Sequence, residues 1–84
     1  MKYSVRWLPA AEQELAALWM AADRRAAVTQ AANLIDQDLS KSPKSIGESR
    51  PEDRRIYFVS PLAVLFRVST EDRLVQVVHV WAFD

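Results

Sequence analysis

The stretch LAVLFRVSTEDRLVQVVHVW, residues 62–81, decides how this chain folds. Two apolar runs, 62–69 and 74–81, flank Thr70-Glu71-Asp72-Arg73, a polar four-residue connection that reads as the turn of a β-hairpin. In the first run Leu62, Val64, Phe66 and Val68 fall on one side, and Ala63 and Leu65 on the other. A strand apolar on both sides belongs in the middle of a sheet that is covered on at least one face. Arg67 interrupts the second side, away from Val64, Phe66 and Val68. Register matters here, because a one-residue slip in the 70–73 turn would swap the face that His79 and Trp81 occupy.

Working backwards, residues 54–59 form a shorter strand that stops at Ser60-Pro61. The segment 41–53 carries Pro43, Ser45, Gly47, Ser49 and Pro51 and reads as a loop. Before it lie two helical patterns. Residues 24–41 place Val28, Ala31, Ala32, Ile35 and Leu39 on one face, with Asp23 as the expected N-cap. Residues 10–22 place Leu15, Leu18, Trp19 and Ala22 on one stripe, expected in the core. Pro9 suits the first turn, where its missing N–H costs nothing. With almost no linker, the two helices read as an antiparallel αα-hairpin. At the start, Tyr3, Val5 and Trp7 alternate with polar residues as in a half-buried strand. The order is β-α-α-β-β-β: an α+β fold, a small antiparallel sheet with an αα-hairpin packed on one face, in a single domain over 1–84.

Composition narrows the chemistry. The chain has 84 residues, 50% of them hydrophobic, so a packed core is expected rather than disorder. There is no Cys and only one His, which excludes disulfides and thiolate metal sites and leaves no ordinary zinc site. One Gly is too few for a phosphate-cradling loop, and no cofactor is expected. Eleven Lys and Arg balance eleven Asp and Glu, so no direct nucleic-acid contact and no membrane attachment is expected. The N-terminal residues lack the apolar run of a secretory signal, and a cytoplasmic protein fits.

Arg50, Arg54, Arg55 and Arg67 make a basic group that would touch phosphate or a carboxylate-bearing partner, or else a solvated sheet edge. An Arg inside an apolar strand needs a partner or an open face. His79 suits proton transfer, or a hydrogen-bonded place at the rim of the core. Trp81 and Phe83 near the end either pack back on the sheet or meet a partner. Glu12 and Glu14, like Asp36 and Asp38, lie two apart on helices and read as solvated faces rather than paired carboxylates. No metal ligands stand out.

The order Tyr3-x-Val5-x-Trp7-x-Pro9-x-Ala11-x-x-x-Leu15-x-x-Leu18-Trp19 resembles the opening of the RelE/ParE family of bacterial type II toxins. Ile35-x-x-x-Leu39, Pro43, Gly47-Glu48-Ser49, Arg55 and Val64-Leu65-Phe66-Arg67-Val68, followed by alternating valines, extend the resemblance over essentially the whole chain. It implies the same β-α-α-β-β-β plan and a cognate antitoxin that wraps an extended or helical segment around the toxin. It also implies one of two targets. RelE-type members cleave messenger RNA on the ribosome, and ParE-type members inhibit DNA gyrase. Ala63 stands where the ribonuclease pattern has a phosphate-binding Arg, the chain ends Trp81-Ala82-Phe83-Asp84 rather than in basic residues, and a C-terminal helix is missing. Arg55, Arg67 and His79 are the residual catalytic candidates. The expectation is therefore a ParE-like, non-enzymatic toxin and gyrase inhibitor, with Arg50, Arg54, Arg55, Arg67, Trp81 and Phe83 as partner-binding residues. An RNase with a reduced active site and a non-toxic binding module are the alternatives. An exposed apolar hairpin surface would support either a homodimer or a toxin–antitoxin heteromer.

Overall fold

The 62–81 hairpin is the centre of the molecule. In the computed structural model, which describes residues 2–83, β4 (Leu62–Ser69) pairs antiparallel with β5 (Leu74–Ala82) and on its other side with β3 (Arg54–Val59). β1 (Ser4–Trp7) adds to β5 in parallel, and a short β2 (Glu48–Arg50) adds to β3. The five strands run in the order β1-β5-β4-β3-β2. The sheet is thus mixed rather than wholly antiparallel. α1 (Pro9–Ala21) and α2 (Arg25–Lys41) follow β1, and the β1–β5 pairing is parallel where β2–β3, β3–β4 and β4–β5 are antiparallel.

Two local expectations change. The segment 41–53 is not all loop, since Ser49 and Arg50 pair with Arg55 and Arg54 across a turn at 51–53. Glu52 and Asp53 both take positive φ (64° and 60°), a left-handed turn made without glycine. Asp23 does not cap α2: Arg24 is the N-cap residue, with no side-chain cap hydrogen bond. Arg25 instead donates to the carbonyl oxygens of Trp19 and Met20 (3.1 and 3.2 Å), which ties the start of α2 to the end of α1.

One face of the sheet is covered and the other is not. Val28, Ala31, Ile35 and Leu39 of α2 bury against Leu62, Val64, Phe66, Val75, Val77 and Val80. Each large apolar chain so enclosed contributes about 1.5–3 kcal/mol. Leu15 and Leu18 of α1, and Ala22 just after it, pack against this cluster. Trp19 does not join it. It is 41% exposed, with the Arg25 guanidinium 4.8 Å above its ring.

The register issue is resolved within β5 rather than in the turn. Phe66 pairs with Val77 but Leu65 with His79, so Val78 is an extra residue, a β-bulge. It puts Val75, Val77 and Val80 on the covered face and His79 and Trp81 on the open one. The alternation read from the sequence could not count that residue.

The loop before β2 is locked from two sides. Arg55 donates through Nε to the Ile46 carbonyl (2.9 Å) and through Nη2 to that of Gly47 (3.2 Å). Gly47 sits at φ 77°, and a Cβ there would lie 2.5 Å from the Ile56 carbonyl oxygen. Beside it the Tyr57 hydroxyl donates to Asp38 Oδ2 (2.7 Å), pinning β3 to α2. That hydrogen bond, then burial, then the carboxylate charge push the Tyr57 hydroxyl up to about 12.

Gly47→Ala combines a left-handed backbone with a clash against backbone atoms, and should cost about 2–4 kcal/mol in urea unfolding. Tyr57→Phe should cost roughly 1–2 kcal/mol. The raised hydroxyl gives a sign as well. Its contribution is complete below the ordinary tyrosine value of about 10 and is lost as pH climbs through about 12. Alkaline unfolding followed by circular dichroism should therefore show a loss of stability across this window that is smaller in Tyr57→Phe. An unchanged slope would count against the Tyr57–Asp38 bond.

Candidate functional site

On the open face, cross-strand neighbours share a side, and the pairings sort the residues into rows. One row runs Arg6, Gln76, Arg67, Arg54, Arg50 across all five strands. Adjacent strands lie about 4.8 Å apart, so the row is roughly 19 Å long. The next row contains His79, Leu65, Ile56 and Glu48. The third contains Trp81, Ala63 and Phe58.

The arginine row is unbalanced. Arg50 pairs with Glu48 (3.0 Å) and Arg54 with Glu52 (2.6 Å), both as exposed salt bridges. Arg6 and Arg67 are exposed and form no salt bridge among the described residues. Arg67 stands directly opposite Arg54, and like charges in that position destabilise a sheet unless an anion lies between them. The row is therefore suited to take carboxylates or phosphates.

At the other end the face is aromatic. Phe58 and Trp81 are 43% and 37% exposed, and Ala63 between them is fully buried. Phe83 follows Trp81 and meets Phe58 edge to face, ring centres 5.1 Å apart. Its N–H donates to the Pro61 carbonyl (2.9 Å), which carries the β4–β5 pairing on to the β3–β4 connection. Asp84, the last of the four residues that stand in place of basic ones, lies outside the described residues.

His79 sits between the two ends. Its Nδ1 lies 3.1 and 3.3 Å from the two carboxylate oxygens of Glu14, and Glu14 Oε1 also accepts the Val80 N–H (3.0 Å). β1 ends at Trp7, opposite Val77, so β5 beyond that point has a free edge, which α1 approaches with Glu14. Glu14 was expected to be an ordinary solvated side chain, but it satisfies a strand-edge donor and aims the imidazole. Nothing in the spacing of Glu14 and Val80 along the chain signals that contact.

The structure separates residues that the sequence grouped. Arg50, Arg54, Arg67, Trp81, Phe83 and His79 share the open face. Arg55 does not, because it pairs with Phe66 on the covered side and its guanidinium is occupied by the Ile46 and Gly47 carbonyls. Arg55 thus has a structural place and does not join Arg67. Arg6 and Gln76, not singled out in the sequence, complete the row. Alternation alone put Arg6 opposite Val5 and Trp7 in direction, and only the β1–β5 register shows that it belongs beside Gln76. Among the described residues no cluster of His, Asp or Glu could hold a metal ion, and no helix is long and apolar enough to cross a membrane.

No family model matches the chain and no curated protein matches it in sequence. Solved structures that match it in fold include chains of two toxin–antitoxin systems. One is a chain of the toxin–antitoxin complex RelBE2 from Mycobacterium tuberculosis, with a TM-score of 0.80 and 21% identity, covering 98% of this chain and 92% of that one. The other is a chain of the chromosomal ParDE TA system from P. aeruginosa, with a TM-score of 0.73 and 16% identity, covering 98% of this chain and 97% of that one. The two helices and the mixed five-stranded sheet are those of a RelE/ParE-like toxin fold.

Proposed function

We propose that the chain is the toxin of a type II toxin–antitoxin module, acting in the cytoplasm by binding a protein target such as DNA gyrase and neutralised by a cognate antitoxin. The observation that supports this reading best is the make-up of the open face. Exposed Trp81 and Phe58 lie at one end, Ile56 and Leu65 in the middle, and the arginine row at the other end. Aromatic residues and arginines are the side chains that dominate protein–protein binding, and aliphatic neighbours exclude water around them. In this reading Trp81 is the apolar anchor, supported by Phe83 through Phe58. Arg67 and Arg6 take carboxylates of the target or the antitoxin, with Arg54 and Arg50 exchanging Glu52 and Glu48 for them.

A second reading rests on His79. A carboxylate orients its imidazole on the same face as Arg67 and Arg54, an arrangement that suits proton transfer beside a bound phosphate. The chain would then cleave messenger RNA on the ribosome, with His79 as the acid–base group and the arginines as phosphate contacts. The balanced charge of eleven against eleven favours the first reading, since an RNA-bound enzyme gains from a basic surface.

Induced expression in a bacterial host, with and without the antitoxin, separates the readings. Growth arrest with accumulated gyrase–DNA cleavage complexes is expected. Trp81→Ala should weaken target binding by about 2 kcal/mol, near thirtyfold, and Arg67→Glu should abolish arrest while circular dichroism shows an intact fold. Codon-positioned mRNA cuts that disappear in His79→Ala would replace the first reading with the second. Absence of any growth effect, with antitoxin binding intact, would leave a partner-binding module on the same fold.

A further inference from the structure

Arg55 lies away from the arginine row, and its own surroundings form a second site. On the covered side of the sheet, by the β2–β3 turn, is a small pocket of about 190 Å³. Lys44, Ser49, Asp53, Arg55 and Val68 line it. Ser49 stands opposite Arg55 across β2 and β3, so their side chains share a face. Lys44 comes from the loop that follows α2, and Asp53 from the turn, where it is held at φ 60°.

The charge of Arg55 is uncompensated. The residue is half-buried and forms no salt bridge among the described residues. A charge drawn out of water needs a counter-charge or a full set of hydrogen bonds. Its bonds to the Ile46 and Gly47 carbonyls engage two of the guanidinium's five N–H groups. The rest have no protein acceptor among the described residues. The same two carbonyls fix the plane of the guanidinium, so the free donors are set in place before a ligand arrives. Lys44 is exposed and also forms no salt bridge among the described residues, and the Ser49 side chain is exposed beside them. Two cations without a partner and one hydroxyl therefore line the same pocket.

We infer that this pocket binds the phosphate group of a small phosphate monoester, with Arg55 as the fork, Lys44 as the second cation and Ser49 as a hydroxyl donor. A carboxylate is planar and is satisfied by one guanidinium. A tetrahedral phosphate offers oxygens in several directions, which suits donors arriving from β3, β2 and the preceding loop. The pocket is too small for much of the molecule behind the phosphate, and Val68 gives its first carbon an apolar wall. Asp53 is the opposing group on the lining: its carboxylate repels the ligand and keeps the affinity modest. The site is distinct from the arginine row, since Ser49 and Arg50 are neighbours on β2 and point to opposite faces. It goes beyond the toxin reading and holds whether or not the chain arrests growth.

The test is a titration of the whole isotope-labelled chain, followed by NMR, with glycerol phosphate, inorganic phosphate or acetate at constant ionic strength. Glycerol phosphate should give saturable shifts at the Lys44 and Ser49 amides and the Arg55 side chain, and should bind more tightly than inorganic phosphate or acetate. Lys44→Ala, an exposed position that leaves the loop bonds of Arg55 in place, should weaken binding about tenfold. Asp53→Asn should tighten it about threefold, a change of sign that loss of structure does not produce. Arg67→Gln, on the open face, should leave the shifts at Ser49 and Arg55 as they are. Tighter binding of inorganic phosphate would give the pocket to the free ion, and equal binding of acetate would remove the tetrahedral preference. Either result overturns the inference. So does the absence of shifts at Ser49 and Arg55, their loss in Arg67→Gln, or binding that is unchanged by Lys44→Ala or weakened by Asp53→Asn. Every outcome is read from purified protein, so it stays separate from the growth-arrest result.

Discussion

The structure depends on one packing event, the burial of Phe66, Val64, Val75 and Val77 beneath Ile35 and Leu39. A chain this short can bury only a modest share of its surface, and it has just two helices with which to cover five strands. Both helices are spent on one side. The opposite side of the sheet must then stay in water, and its residues are released from the requirement to be apolar. This is why Arg6, Arg54 and Arg67 can occupy a sheet otherwise rich in valine and leucine, and why a flat surface is left for partners.

The same economy leaves a groove between the helices. α1 is needed along the free part of β5, where Glu14 satisfies the Val80 N–H, whereas α2 is needed across the body of the sheet. The two helices meet at a corner held by Arg25 and leave between them a cleft that neither can fill. Covering a small sheet thus leaves a basic and aromatic face on one side and an apolar groove on the other.

Much of the fold was legible in advance because it rests on periodicity. The alternation in 62–69 and the stripe of Val28, Ala31, Ile35 and Leu39 each match a single geometry, and α1 begins at Pro9 as its N-terminal position requires. The failures share a physical cause. Trp19 and Leu18 are neighbours on a helix stripe, yet the stripe is wider than the core it faces, and the residue at its edge falls into solvent. β2 escaped notice because its turn uses Glu52 and Asp53 at positive φ, where Gly or Asn would have signalled it. The candidate site was half legible: Arg54, Arg67, Trp81 and His79 were named, but Arg55 was grouped with them by adjacency in sequence. Neighbouring residues of a strand point to opposite faces, so adjacency was the wrong criterion.

The sequence by itself determined the two helices, the strands β1, β3, β4 and β5 and the covered face of β4, because those follow from side-chain chemistry and local period. It could not determine which arginines stand together, where Glu14 reaches, or that His79 and Trp81 share a face with Arg67. Those depend on strand order, on the parallel register of β1 against β5 and on one extra residue at Val78. Each is set by contacts between segments far apart in the chain. Only the packed sheet brings Arg6, Gln76 and Arg67 into one row.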